Sequence, residues 1–348
     1  MPPDHPDPKA SSSPWPSARL HAVTGKGGTG KTTVSAALAI ALASGGRRVL
    51  LAEVEGRQGL APLFDVTETP YAERHLVSTP RGGEVLALSV EPKAALLEYL
   101  ELFYRMGRAG KILEKLGAID FATTIAPGLR DVLLTGKIYE AARRRVNGRY
   151  LYDAIVLDAP PTGRIARFLN VNEAVVGLAK VGPIRNQAGS IMSLLRSPQT
   201  AIHLVTVLEE MPVQETADGV AELRAVGLPV GGIVINQVRE PLLSRRALAD
   251  AVEGRLDREE VIAGLEAARL GGPATGGRAR TTTRLHLLAD GLLGQAAEHG
   301  TRVALEERGR RELAALGRPT FELPAVPGGI DLGTLYDLAD RLREQGMP

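Results

Sequence analysis

The sequence predicts an α/β protein with a parallel twisted sheet flanked by helices. Arg19-Leu20-His21-Ala22-Val23-Thr24 reads as a strand, Gly25 to Thr33 as a glycine-rich turn, and Val34 to Ser44 as an Ala/Leu helix stopped by Gly45-Gly46. Arg47 to Glu53 opens a second apolar strand, so strand, turn, helix and strand follow in the order of a parallel α/β unit. Leu151 to Asp158 is another apolar run and ends in an acid, as a buried parallel strand can.

The turn reads Gly25-Lys26-Gly27-Gly28-Thr29-Gly30-Lys31-Thr32-Thr33, which contains Gly, four residues, Gly, Lys and Thr. A turn poor in Cβ atoms lets several backbone N–H groups converge on phosphate oxygens at the positive end of the following helix. Lys31 is expected to reach the β- and γ-phosphates and the Thr32 hydroxyl to ligate Mg²⁺. Ligands of parallel sheets gather at the carboxyl ends of the strands, so Glu53 and Glu55 are expected near the γ-phosphate.

Composition narrows the function. The 348 residues, 44% of them hydrophobic, suffice for a large buried core. Forty-two Lys and Arg against 40 Asp and Glu give no overall basic field, so nucleic acid is not an expected partner. The chain has no cysteine, which removes disulfides and thiolate metal sites. No apolar run approaches the roughly 20 residues of a membrane span, and a cytoplasmic protein with no integral membrane segment is expected.

The second residue of the loop, Lys26, makes it resemble the deviant phosphate loop GKGGxGKT. That loop marks the family of ArsA-type ATPases, guided-entry ATPases for tail-anchored membrane proteins, MinD, ParA and the nitrogenase iron protein. The resemblance implies ATP and Mg²⁺ as cofactors and a dimer in which Lys26 crosses to the partner's nucleotide. Asp158-Ala159-Pro160-Pro161-Thr162-Gly163-Arg164 is similar to the family's Asp-Thr-Ala-Pro-Thr-Gly-His switch, one residue shorter. It implies that Asp158 holds Mg²⁺ through water and that the Thr162-Gly163 backbone senses the γ-phosphate; Arg164 stands where the family has His. Aligned to the family's Ser-Thr-Asp-Pro-Ala-His segment, Glu55 takes the place of the Asp that polarises the attacking water. Moving that carboxylate by about one methylene could slow hydrolysis ~10²-fold or abolish it while leaving nucleotide binding, so Glu55 stands open between a catalytic and a binding role. Asn236 ends the apolar run Val230 to Ile235 and corresponds to the family's adenine-reading Asn; Thr320 to Pro324 reads as a last strand and loop beside the base. The Cys-x-x-Cys pair of eukaryotic guided-entry ATPases is missing, so no zinc is expected.

The remaining segments are organisational. Residues 1–18, rich in Pro and Ser, read as a disordered tail holding the lone Trp15, and 19–348 as one ATPase domain. A helical subdomain is expected at about 93–148 and 176–200, and a helical hairpin at about 244–316 broken by Gly271 to Gly277. The apolar residues of the subdomain suit either a groove for a hydrophobic client protein, as the guided-entry branch implies, or the subdomain's own core. Arg143-Arg144-Arg145 and Arg149 read as a solvated helix end. Leu332, Leu335, Tyr336, Leu338, Ala339 and Leu342 lie at helical spacing on a helix with more acids than arginines, which favours packing over membrane anchoring. The expectation is a dimeric P-loop ATPase, a homodimer or a heterodimer with an ArsA-like paralogue. A hydrolysis-deficient regulatory subunit and a metalloid or anion transport subunit are the alternatives.

Overall fold

The computed structural model describes residues 14–54, 58–68, 70–104, 127–178, 183–270 and 278–347. The strands, in chain order, are β1 Leu20–Gly25, β2 Arg48–Glu53, β3 Arg74–Ser78, β4 Glu84–Ser89, β5 Arg145–Val146, β6 Arg149–Tyr150, β7 Ala154–Asp158, β8 Thr200–Thr206, β9 Val230–Val238 and β10 Thr320–Pro324. The helices are α1 Lys31–Ala43, α2 Pro92–Tyr104, α3 Pro127–Arg143, α4 Thr162–Leu178, α5 Pro183–Leu195, α6 Glu210–Ala225, α7 Arg245–Val252, α8 Arg258–Ala267, α9 Arg278–Ala315 and α10 Leu332–Glu344. Eight strands form one sheet in the order β10-β9-β8-β1-β7-β2-β4-β3. All neighbours in it run parallel except the edge pair β3 and β4. The expected α/β fold with a mostly parallel sheet is therefore present.

Both faces of the sheet are buried, which explains why its central strands are mostly apolar. Leu50, Ala52, Ile155, Leu157, Ile202 and Leu204 point to one face, where they pack with Leu133, Leu134 and Ile138 of α3, Ile165, Phe168 and Leu169 of α4, and Ile191, Met192 and Leu195 of α5. Val49, Leu51, Ala154, Val156 and Val205 point to the other, against α1 and α10. Successive residues alternate faces, as the two-residue strand period requires. The Ala-rich α1 is buried along Val34–Ala43 because it lies between the sheet and the C-terminal helix. Leu335, Leu338, Ala339 and Leu342 of α10 complete that layer, so its apolar face is a packing face. These apolar side chains of α3, α4 and α5 likewise belong to the main core, which resolves for them the choice between core and open groove. Residues 105–126 of the expected helical subdomain lie outside the described residues.

Two compact units emerge. The first contains the sheet; the second comprises Leu208–Glu210 and Arg239–Glu312. Within the second, Ser244 caps α7 through its hydroxyl and Asp257 caps α8 through its carboxylate, and Ile262, Leu265, Leu285 and Ala289 form a small core of their own. Gly271 to Gly277, expected to interrupt this hairpin, lies outside the described residues.

Near the N-terminal end of the described residues, Trp15 sits edge-on to His203 at 4.9 Å and tilted against Phe321 at 6.1 Å. An aromatic ring with an apolar platform available can outweigh the tail's unfavourable composition. His203 in turn stacks on His21 with the two rings 8° apart, and His21 Nδ1 meets His203 Nε2 at 3.1 Å. His203 Nδ1 accepts the Gly232 N–H at 3.1 Å, so its Nε2 carries the proton that is donated to His21.

Burial holds both imidazoles neutral, pushing His21 down to about 4 from 6.5 and His203 well below its ordinary value. The unfolded chain then binds protons first. Stability from this pair is complete above pH 6.5 and is lost as the pH falls toward about 4. The urea midpoint is expected to fall over that window, with His21 alone costing on the order of 3 kcal/mol at its lower end. In a His21→Gln/His203→Gln double variant that pH slope should flatten; an unchanged slope would assign the acid sensitivity to other groups.

Candidate functional site

The site is assembled where β1 ends. Gly25 passes so close to β8 that a Cβ on it would lie 2.1 Å from the Val205 carbonyl oxygen, so no side chain fits. At the other end of the loop Gly30 has φ of 86°, in the left-handed region, and a Cβ there would lie 2.3 Å from Asn236 Nδ2. Between them the loop is tied to itself. Lys26 O accepts from the Thr29 hydroxyl at 2.9 Å and from Lys31 Nζ at 3.3 Å. Thr24, just before the loop, donates its hydroxyl to Pro160 O at 2.6 Å, joining the loop to the segment after β7. Helix α1 begins at Lys31, so the loop's backbone N–H groups and the helix's positive end share one place.

Asp158 closes the site from β7, the neighbour of β1 in the sheet. Its Oδ2 accepts the Thr32 hydroxyl at 2.7 Å, and its Oδ1 lies 3.3 Å from the Ser35 hydroxyl, which donates to Lys31 O at 2.9 Å. Ser35 lies one helical turn beyond Thr32 and is fully buried, so both hydroxyls face the strand. Ser35 escaped the sequence reading, although the helical spacing from Thr32 was a usable signal. Across the β2–β7 ladder Asp158 is paired with Glu53, another buried carboxylate. Gly59 N–H donates to Glu53 Oε1 at 2.8 Å. Thr162, at the start of α4, is buried, and its hydroxyl has no partner among the described residues.

The structure brings Lys26, Lys31, Thr32, Asp158 and Asn236 into one neighbourhood through the contacts above. Lys26 also pairs with Glu215 of α6 at 2.8 Å, both side chains about one-third exposed. Glu215 lies on α6, so its partner depends on the path of that helix and could not be read from the sequence. Asn236, at the end of β9, donates Nδ2 to Thr29 O at 2.9 Å and so braces the loop. Pro324 ends β10 and is paired with Val238 in the neighbouring strand. Arg164 approaches the Asp131 carboxylate of α3 at 3.8 Å. Burial pushes the Asp131 carboxyl up, against the opposing pull of Arg164, Arg130 and Arg167. Glu55 lies outside the described residues.

Magnesium prefers hard oxygen donors and is held by one or two carboxylates with substrate phosphates, and not by an all-protein cage. The donor set here, a hydroxyl from Thr32 and carboxylates from Asp158 and Glu53, fits that chemistry. Among the described residues no group of three or more His, Cys, Asp or Glu forms a cage. No helix of the described residues is long and apolar enough to cross a membrane.

A glycine-rich loop between a central parallel strand and a buried helix, with a strand-end aspartate bonded to the helix's first-turn threonine, defines a P-loop NTPase fold. The model of the ArsA ATPase family, described as anion-transporting ATPase, matches residues 18–198. The chain is 50% identical over 344 residues to ATPase BagA of Mycobacterium tuberculosis, covering 97% of each chain. It is 30% identical over 266 residues to an arsenical pump-driving ATPase of Escherichia coli, which spans 70% of this chain and 43% of the relative. A second Escherichia coli protein of that description is 28% identical over 273 residues, covering 72% and 44%. The chain belongs to the ArsA ATPase family and is an ArsA-like P-loop ATPase.

Asn236→Ala removes the brace under the loop and leaves the Thr29 carbonyl without its amide. A loss of about 1–2 kcal/mol in unfolding free energy is expected. Faster hydrogen exchange at Gly28 to Lys31 should accompany it. Unchanged exchange there would mean that the loop is held by its internal bonds alone.

Proposed function

We propose that the chain binds Mg·ATP on the Gly25–Thr33 loop, closes a dimer around the nucleotide and hydrolyses it. The observation behind this reading is the convergence of the Thr32 and Ser35 hydroxyls on the buried Asp158 carboxylate beside the phosphate loop. When bound, Mg²⁺ would neutralise charge developing on the phosphates. Thr32 would ligate it directly and Asp158 through water, while Lys31 turns from the Lys26 carbonyl to the β- and γ-phosphates. Thr162 and Gly163, at the positive end of α4, would present N–H groups to the γ-phosphate, and the orphaned Thr162 hydroxyl supports a polar ligand there. Asn236, with Pro324 nearby in the sheet order, would read adenine with whatever capacity its bond to Thr29 leaves.

Lys26 would exchange Glu215 for the partner's nucleotide. An ion pair this exposed is worth about 0–1 kcal/mol, so the exchange costs little. Glu55, in the family's Asp place, favours pairing with an ArsA-like paralogue whose switch is intact. Client binding forms no part of the proposal, because the described apolar side chains of α3, α4 and α5 noted above lie in the core. The arsenical role in the names of the Escherichia coli relatives is also left with them, since this chain has no cysteine to bind a thiophilic metalloid.

Steady-state ATP hydrolysis by the purified chain, alone and with a paralogue, tests the reading against Lys31→Ala as blank. Turnover above the blank is expected, rising up to ~10²-fold in Glu55→Asp if the extra methylene misplaces the carboxylate. Lys26→Ala should retain Mg·ATP binding but lose ATP-dependent dimerisation, read by light scattering. Tight Mg·ATP binding without turnover, restored by Glu55→Asp, would instead make the chain a regulatory subunit.

A further inference from the structure

Glu53 occupies a place that the loop motifs leave unassigned. It is the last residue of β2, 2% exposed, and the ladder partner of Asp158. Two carboxylates thus stand side by side at the carboxyl edge of the sheet. Gly59 measures how near Glu53 comes to the rest of the site. A Cβ on Gly59 would lie 3.2 Å from Glu53 Oε1, 3.3 Å from Thr32 Cγ2 and 3.6 Å from Thr32 Oγ1. Glu53 and the threonine bonded to Asp158 therefore border the same small volume.

We infer that Glu53 is a positioning residue with two tasks: it adds a second carboxylate to the water shell of the bound magnesium, and it anchors the segment after β2 through Gly59. This rests on the ATPase reading above. The first task uses charge. A second anion next to Asp158 strengthens the hold on a divalent cation, and outer-shell partners of this kind typically contribute 10–100-fold in metal affinity. The same anion repels nucleotide phosphates when the metal is withheld. The second task uses geometry, since the carboxylate oxygen accepts the Gly59 N–H and holds that residue beside Thr32. Glutamine at this position can perform the second task but not the first.

The test is binding of a fluorescent ATP analogue to the full chain, titrated with Mg²⁺ and compared with binding in EDTA. Wild type should bind more tightly as Mg²⁺ is added. Glu53→Gln should bind the metal-free analogue as well as wild type or better, yet need at least about tenfold more Mg²⁺ for half of the gain. Its hydrogen exchange at Gly59 and Leu60 should stay at the wild-type level. Glu53→Ala should lose both the magnesium response and the protection. A purely structural role would weaken metal-free and metal-bound binding alike, and a wild-type magnesium response in Glu53→Gln would overturn the inference while leaving the ATPase reading standing. Failure of wild type itself to bind the analogue would overturn that reading, and this one with it.

Discussion

The carboxylate of Asp158 is the point on which the rest of the site depends. It sits at the end of β7, in the middle of the sheet, and holds the first turn of α1 through the Thr32 hydroxyl. That helix starts where the glycine-rich loop ends, so fixing its first turn fixes the direction of its dipole and of the loop's N–H groups. A residue on an edge strand could not do this. Asp158 works because β7 lies directly beside β1, and the backbone continues the link where Ala159 N–H donates to Val23 O at 2.9 Å. Chain connectivity makes the arrangement possible: β1 leads to β2 across the space that β7 later fills, and the chain then passes to β8 on the other side of β1. Crevices at such reversals are where ligands of parallel sheets bind.

Charge around the loop is balanced by structure. The carboxylates around the loop are Glu215, which pairs with Lys26, and Asp158 and Glu53, which are ladder partners. Two of these acids are buried and one is at the surface, and the difference decides what each can do. Buried carboxylates act at short range in a low dielectric, where their contribution to a cation or phosphate is large. Glu215 is exposed enough for water to screen it, so it holds Lys26 loosely.

Those features of the site that follow from short-range backbone constraint were legible in the sequence. Gly30 takes a left-handed φ of 86°, a local demand of the turn, and an apolar strand ending in Asp announces itself by composition. The fold class was legible for the same reason, since strand, loop, helix and strand each carry a local signal. What depends on distant chain was not. Nothing local in the sequence says that Glu53 is the ladder partner of Asp158. Glu215 meets Lys26 only because α6 returns to the loop nearly two hundred residues later. Trp15 is ordered by Phe321 and His203, which no reading of residues 1–18 could supply. The apolar residues of α3, α4 and α5 were ambiguous because amphipathicity specifies that a face will be covered without naming the cover.

Asn236 joins these two levels. As an amide it carries both a donor and an acceptor, and its donor already braces Thr29 in the phosphate loop. Whatever meets its remaining capacity therefore meets a side chain that is rigidly coupled to the loop's geometry. Base recognition through Asn236, in the function proposed above, would transmit directly to the N–H groups that hold phosphate, with no rearrangement of helices between. The close packing of Gly30 against the same amide makes that coupling stiff, because neither group can shift without displacing the other.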